Sequence, residues 1–319
     1  MTATIATGLS LDEAAALTRR ATRLSVGVAA TLSAIKAMAW MASGSVAMLA
    51  SLADSGLDLL ASLATFFAVR YAIAPPDREH RFGHGKAEAF ASLLQAGLVF
   101  GSAALVGREA VVHIINPHPV TNGLWGLLVM AVSMVMTFGL ITAQSRVLRQ
   151  ANSVAVAGDR GHYAADLGAN ALAALGIGVC ALTGSALPDA LAGLGVAIWL
   201  VWGAVQVFRA SSVELMDHEL GDDLRHRIVN LMTEDPRVRD VHQLRTRASG
   251  PYVHIQMHAS LDPNMSLVQA HEVMVAAENR VLAAFPAADI IIHPDPRGQA
   301  EPHGGPFRET HHADSDHES

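Results

Sequence analysis

The sequence predicts a membrane all-α fold of six transmembrane helices followed by a small α+β domain of order α-β-β-α-β. Three observations predict it. The 319 residues are 51% hydrophobic and 16% charged, with a mean hydropathy of +0.31, too apolar for an ordinary soluble chain. Six stretches are long enough to cross a hydrocarbon core of about 30 Å. After Arg209 the long apolar runs stop, and short strand-like and amphipathic segments replace them.

The spans are expected near 22–42, 46–73, 88–115, 121–145, 158–183 and 187–209. Gly44 and Ser45 break the first pair, and Gly184, Ser185 and Pro188 break the last. Residues 1–21 carry Asp12 and Glu13 and no apolar core, so they read as a cytoplasmic N-terminal segment and not as a signal peptide. Basic residues set the orientation. Arg19, Arg20 and Arg23 precede span one, and Arg78, Arg81 and Lys86 follow span two. Arg146, Arg149 and Arg160 flank the start of span five, and Arg209 closes span six. The three opposite loops have no Lys or Arg, so both termini are expected in the cytoplasm, with the chain in the inner membrane. Lys36 lies near the outer end of span one, where snorkelling would serve it. Arg108 has only its neighbour Glu109 as an evident partner.

In the soluble part, LRHRIVNLMTEDP reads as a short amphipathic helix. DVHQLRTRASGPYVHIQMHASL reads as two strands joined at Ser249–Gly250–Pro251. SLVQAHEVMVAAENRVLAAFP reads as a longer helix with Ser266 as N-cap, and ADIIIHPDP as a last strand. The expected division is 1–21, a transmembrane domain 22–209, a metal-binding α+β domain 210–296, and a disordered His-rich acidic tail 297–319. The net charge of −7 comes largely from the C-terminal third. No nucleic-acid partner is expected.

Charge inside a bilayer is costly, so an ionisable residue there is first read as functional. Span two holds Asp54 and Asp58, and span five holds His162 and Asp166. Spacing of i, i+4 puts each pair on one helix face. Three carboxylates and one imidazole make an oxygen–nitrogen ligand set suited to a divalent ion such as zinc. Asp54 and Asp58 could instead be structural, bonded to Ser51, Ser55 or Lys36, but two pairs at equal spacing on two helices argue for ligands. Hydropathy alone would leave His162 near the inner interface, so the fifth helix is expected to begin earlier, near Ser153. Cys180 is the only cysteine, which excludes an intrachain disulfide and a thiolate cluster.

Two further clusters lie outside the spans. Asp77, His80 and His84 sit in the loop PPDREHRFGHGKAE, which could also be a solvated connector. His242, His258, His271, His293 and Asp295 fall on three expected strands and a helix, and His254 shares the strand face of His258. Imidazole and carboxylate without thiolate again suit zinc and similar ions. No specific role is assigned to the tail histidines His303, His311, His312 and His317.

The Asp-x-x-x-Asp and His-x-x-x-Asp pairs, the loop HRFGHGKAE and the segments HQLRTRASGP, IQMH, VQAH and IIHPDP resemble the cation diffusion facilitators. The match is closest to their bacterial zinc and ferrous-iron efflux branch and covers about residues 15–296. The resemblance implies a homodimer in the lipid bilayer that exports divalent metal in exchange for protons. It implies a transport site of Asp54, Asp58, His162 and Asp166, and a loop site of Asp77, His80 and His84. It also implies a cytoplasmic zinc site of His242, His258, His271, His293 and Asp295 on a metallochaperone-like domain. Lys86 and Asp217 occupy the places of an interlock that holds the protomers together. Zn²⁺ is the expected substrate, with Cd²⁺, Fe²⁺ or Mn²⁺ as alternatives. Two other classes compete. A metal sensor would bind without moving ions, but would not need an intramembrane site. An intramembrane metalloprotease would need a spare base, and no HExxH occurs in any span. ATP-driven pumping lacks its GxxxxGK[ST] loop.

Overall fold

The computed structural model describes residues 11–43, 46–115, 124–183 and 187–299. Gly44, Ser45, Gly184, Ser185 and the four tail histidines lie outside them, as does all of the tail beyond Gln299. The chain divides into two units. Among the described residues, one comprises those up to His218 with Ala248–Tyr252, and the other comprises Glu219–Arg247 with those from Val253 onward.

The first unit holds six long helices: α1 (Leu11–Ser43), α2 (Val46–Ala72), α3 (Ala87–Ile115), α4 (Leu124–Leu148), α5 (Val154–Thr183) and α6 (Leu187–Leu215). Among the described residues, five of them contain segments long and apolar enough to cross a membrane. Large apolar side chains such as Leu60, Phe67, Phe90, Leu105, Val135 and Phe138 point outward, as a lipid-facing surface requires. Small and polar residues fill the inside, including Ser25, Ser62, Thr65, Gln95, Gln144 and Asp159. α3 packs along α6, and α1 along α2. Ala103 of α3, Ala165 of α5 and Val196, Leu200 and Ala204 of α6 share one buried cluster, since small residues let helices approach closely in lipid. At Gly158 a Cβ would collide with Ser92 Oγ, so glycine there seats α5 against α3.

Two helix limits differ from the sequence expectation, and the start of α5 agrees with it. α1 starts at Leu11, not near residue 22, so Arg19, Arg20 and Arg23 lie on a helix and not in a preceding segment. Asp12 and Glu13 in its first turn complement the helix dipole, and hydropathy cannot see a helix that continues past the bilayer. α6 likewise runs six residues beyond Arg209, to Leu215. It ends with Asp217 at φ 54°. There His218 N–H bonds Val213 O (3.1 Å) and Asp217 N–H bonds Glu214 O (3.3 Å), the paired bonds of a left-handed helix cap. α5 begins at Val154, as its buried polar residues required: Ser153 Oγ accepts Val156 N–H (3.2 Å) and donates to Glu88 Oε2 (2.6 Å).

The second unit contains α7 (Asp222–Thr233), α8 (Leu267–Ala284), β3 (Ala288–Pro296) and all but the hairpin ends of β1 (Asp240–Ser249) and β2 (Tyr252–Leu261). Strand order is β1-β2-β3, with β2 and β3 parallel and His258 opposite His293. Strand alternation puts Val253, Ile255, Met257, Ala259 and Leu261 of β2 into a core with Ile228 and Met232 of α7, Val273, Ala277 and Val281 of α8, and Phe285. His254 and His258 take the other face of β2. Ser266 caps α8 through a reciprocal box with Gln269. Gln243 has φ 51°, a left-handed residue that interrupts the alternation of β1 just after His242.

Candidate metal-handling sites

The helix α5 carries its polar face two turns in. His162 is eight residues past its first residue, so it lies about 12 Å along the axis, and is 7% exposed. His162 Nε2 lies 3.0 Å from Asp58 Oδ1 on α2 and 3.4 Å from Asp166 Oδ2 one turn on. Ligand atoms of Asp58, His162 and Asp166 all fall within 4.8 Å of one another. The other ring nitrogen, Nδ1, is buried with no hydrogen-bond partner among the described residues. One cation placed among the three groups would replace the proton that joins His162 to Asp58. Asp54, one turn away on α2, is exposed and stands outside this close trio. Lys36 does not snorkel: its ammonium turns inward to Ser55 Oγ (2.6 Å) and Ser51 O (3.3 Å) of α2. It thereby satisfies a serine beside Asp54 rather than the carboxylates. Arg108 is exposed, with Glu109 at 3.9 Å.

The α2–α3 loop closes on Asp77. Its Oδ1 accepts the N–H groups of Glu79 (2.9 Å) and His80 (2.7 Å). The bond from His80 N–H, with that from Glu79, holds the Asp77 carboxyl below the ordinary range. His80 Nδ1 and His84 Nε2 each approach Asp77 to 3.3 Å, and the three form one close group. His84 is buried against the Tyr71 ring, with centroids 4.3 Å apart. Beside this loop, Lys86 Nζ meets Asp217 Oδ1 at 2.9 Å, and the pair forms within one chain.

In the second unit, Asp295 is the hub. His258 Nδ1 lies 2.7 Å and His242 Nε2 3.1 Å from its Oδ2, and His293 Nε2 lies 3.3 Å from its Oδ1. His242, His258 and Asp295 form the close group. Burial pushes the Asp295 carboxyl up, but the hydrogen bond from His258 and the charges of His258 and His293 outweigh it, leaving it below the ordinary range. His271 is exposed on α8 and does not join this group. His254 instead reaches Asp289 Oδ2 through Nδ1 at 3.1 Å.

Sequence reasoning missed several buried acids. Asp159 and Glu88 are nearly or wholly inaccessible. Glu88 Oε2 accepts Ser153 Oγ and Ala155 N–H (3.4 Å), so it caps the helix that carries His162. A usable signal was present for Asp159: a carboxylate three residues before His162, on the same face.

A membrane-crossing bundle with carboxylates and imidazole converging inside it, joined to a ligand-bearing α/β domain, defines an integral membrane protein that handles cations. The chain belongs to the cation diffusion facilitator, or cation efflux, family: residues 22–216 match the cation efflux transmembrane domain and 220–297 the cation efflux protein cytoplasmic domain. It is similar to the cation-efflux pump FieF of Shewanella oneidensis, 44% identical over 282 residues, covering 88% of this chain and 95% of the relative. It is also similar to the pumps of the same name from Cronobacter sakazakii (39%) and Escherichia coli O139:H28 (38%), each covering 88% of this chain and 93% of the relative. The protein is a multi-pass cation-efflux transporter and not an enzyme.

Proposed function

We propose that this chain exports a divalent metal, Zn²⁺ foremost, from the cytoplasm in exchange for protons by alternating access. The observation that carries the reading is the approach of Asp58, His162 and Asp166 within the bundle. Neutral imidazole and ionised carboxylates are the metal-binding forms, so metal and proton compete for the same atoms. Asp54 completes the set as the fourth ligand, reached by a small rotation of α2 about Asp58. The mixed nitrogen–oxygen set favours Zn²⁺, and Cd²⁺ or Fe²⁺ follow; an all-oxygen set would have favoured Mn²⁺. In this reading the protein is a homodimer in the inner membrane with both termini cytoplasmic. His242, His258 and Asp295, joined by His293 and by His271, hold zinc on the soluble domain. The Asp77, His80 and His84 group holds a further ion, and Lys86 with Asp217 braces the dimer near the membrane.

Metal uptake into proteoliposomes under an imposed pH gradient tests the reading, with Zn²⁺, Cd²⁺, Fe²⁺ and Mn²⁺ compared. The expected result is gradient-driven Zn²⁺ uptake that Asp54→Ala abolishes. Uptake of Fe²⁺ or Mn²⁺ without Zn²⁺ replaces the substrate. Tight binding with no flux of any ion would favour a sensor.

A further inference from the structure

The helix that bears His162 carries a second acid, to which the proposed cycle assigns no part. Asp159 precedes His162 by three residues and Asp166 by seven, spacings that share one face of α5. Its carboxylate is fully buried. Oδ2 accepts Ser25 Oγ from α1 (2.6 Å) and Gln144 Nε2 from α4 (2.6 Å), and Oδ1 accepts Gln95 Nε2 from α3 (2.9 Å). Three helices thus converge on one carboxylate, and all three donors are uncharged.

That shell can also hold the neutral acid. Gln95 Oε1 and Gln144 Oε1 are buried with no hydrogen-bond partner among the described residues. Turning either amide over converts a donor into an acceptor for a carboxyl proton. The Ser25 hydroxyl can reverse too, because Ser62 Oγ lies 3.0 Å away and either oxygen can donate. Ser62 Oγ in turn lies 2.9 Å from Tyr163 Oη, on the residue after His162. Hydroxyls therefore run from Asp159 through Ser25 and Ser62 to the neighbourhood of the metal-binding imidazole. A carboxylate kept only for structure needs donors; it does not need spare acceptors and a reversible hydroxyl chain. The titratable groups of α5 and α2 that face this region are His162, Tyr163 and Asp58, while α1, α3 and α4 present Ser25, Gln95 and Gln144.

We propose that Asp159 is a further proton-exchanging carboxylate of the transport cycle, set apart from the metal ligands and joined to their surroundings by the Ser25–Ser62 hydroxyls. The inference rests on the proton-coupled reading above. The test is simultaneous recording of Zn²⁺ uptake and proton counterflow in proteoliposomes of the full chain, wild type against Asp159→Asn. The expected result is a variant that still moves Zn²⁺ but exchanges one proton fewer per ion. An unchanged proton-to-zinc ratio would overturn this proposal while leaving the antiport reading intact. A wild type with Zn²⁺ flux uncoupled from protons would overturn that reading, and this proposal with it. Should Asp159→Asn not fold, Gln144→Met replaces it, since it removes both the Nε2 donor to Oδ2 and one spare acceptor while keeping the acid. It should shift the pH of half-maximal exchange with Zn²⁺ affinity unchanged, and an unmoved pH profile would overturn the proposal.

Discussion

Two of the ligand clusters use the same chemistry on opposite kinds of scaffold. Asp58 and His162 stand on α2 and α5, separate helices whose pairing rests on side-chain contacts. His258, His293 and Asp295 stand on neighbouring strands tied by a parallel ladder, with His258 opposite His293. A site shared by two helices opens when one helix rocks against the other. On hydrogen-bonded strands the backbones that carry the ligands keep a fixed spacing. In the proposed reading, the difference separates a cluster able to release an ion within a cycle from one suited to holding it. Alternating access around a fixed intramembrane site needs the first kind.

Removing a ligand from the mobile site should have the largest effect. Asp58→Ala takes away the carboxylate that meets His162 at 3.0 Å. Transport should fall by at least about 100-fold, since even outer partners of metal ligands cost 10–100-fold. The variant should still elute where the wild type does, because Asp58 is not part of the buried core. Near-normal flux in vesicles would break the comparison at its stronger end.

His258→Ala should act differently. Metal bound at 100 times its dissociation constant stabilises a fold by about 2.7 kcal/mol. The variant should lose a zinc-dependent rise in melting temperature and should retain transport, reduced several-fold at most. A melting shift equal to that of the wild type would show that the strand cluster does not hold the ion.

The smallest expected effect lies away from both clusters. Asp235 is held at about 2 by the hydrogen bonds and charge of Arg237. Because the folded value lies below the ordinary 3.8, the contribution is complete above about pH 4 and disappears as pH falls toward 2. Asp235→Asn should cost a few tenths of a kcal/mol at pH 7, as exposed pairs do. Its stability gap from wild type should close below pH 4. A gap that persists to pH 2 would refute the ion pair, and acid titration followed by circular dichroism reads it.

The sequence carried the local features well and the long-range ones poorly. β3 was legible in ADIIIHPDP and occupies Ala288–Pro296, because its β-branched run is bounded by Pro and a helix end. Ser266 was legible as a cap because its partner Gln269 is three residues away. The early start of α5 followed from the cost of leaving His162 at the interface. The buried network around Asp159 was not legible, since Ser25 is 134 positions distant in the chain and neither Gln95 nor Gln144 carries a pattern of its own. His271 and Asp54 share a lesson. Strand or helix phase assigned each to a plausible face, but phase cannot say whether a ligand atom reaches the others. Both stand outside the close groups.

The most direct measurement is zinc flux through Asp58→Ala and His258→Ala, reconstituted at equal density in vesicles with an imposed pH gradient. The account predicts that Asp58→Ala shows no gradient-driven uptake while His258→Ala keeps a substantial rate. Equal loss in both would contradict the division between a site that moves zinc and a site that holds it.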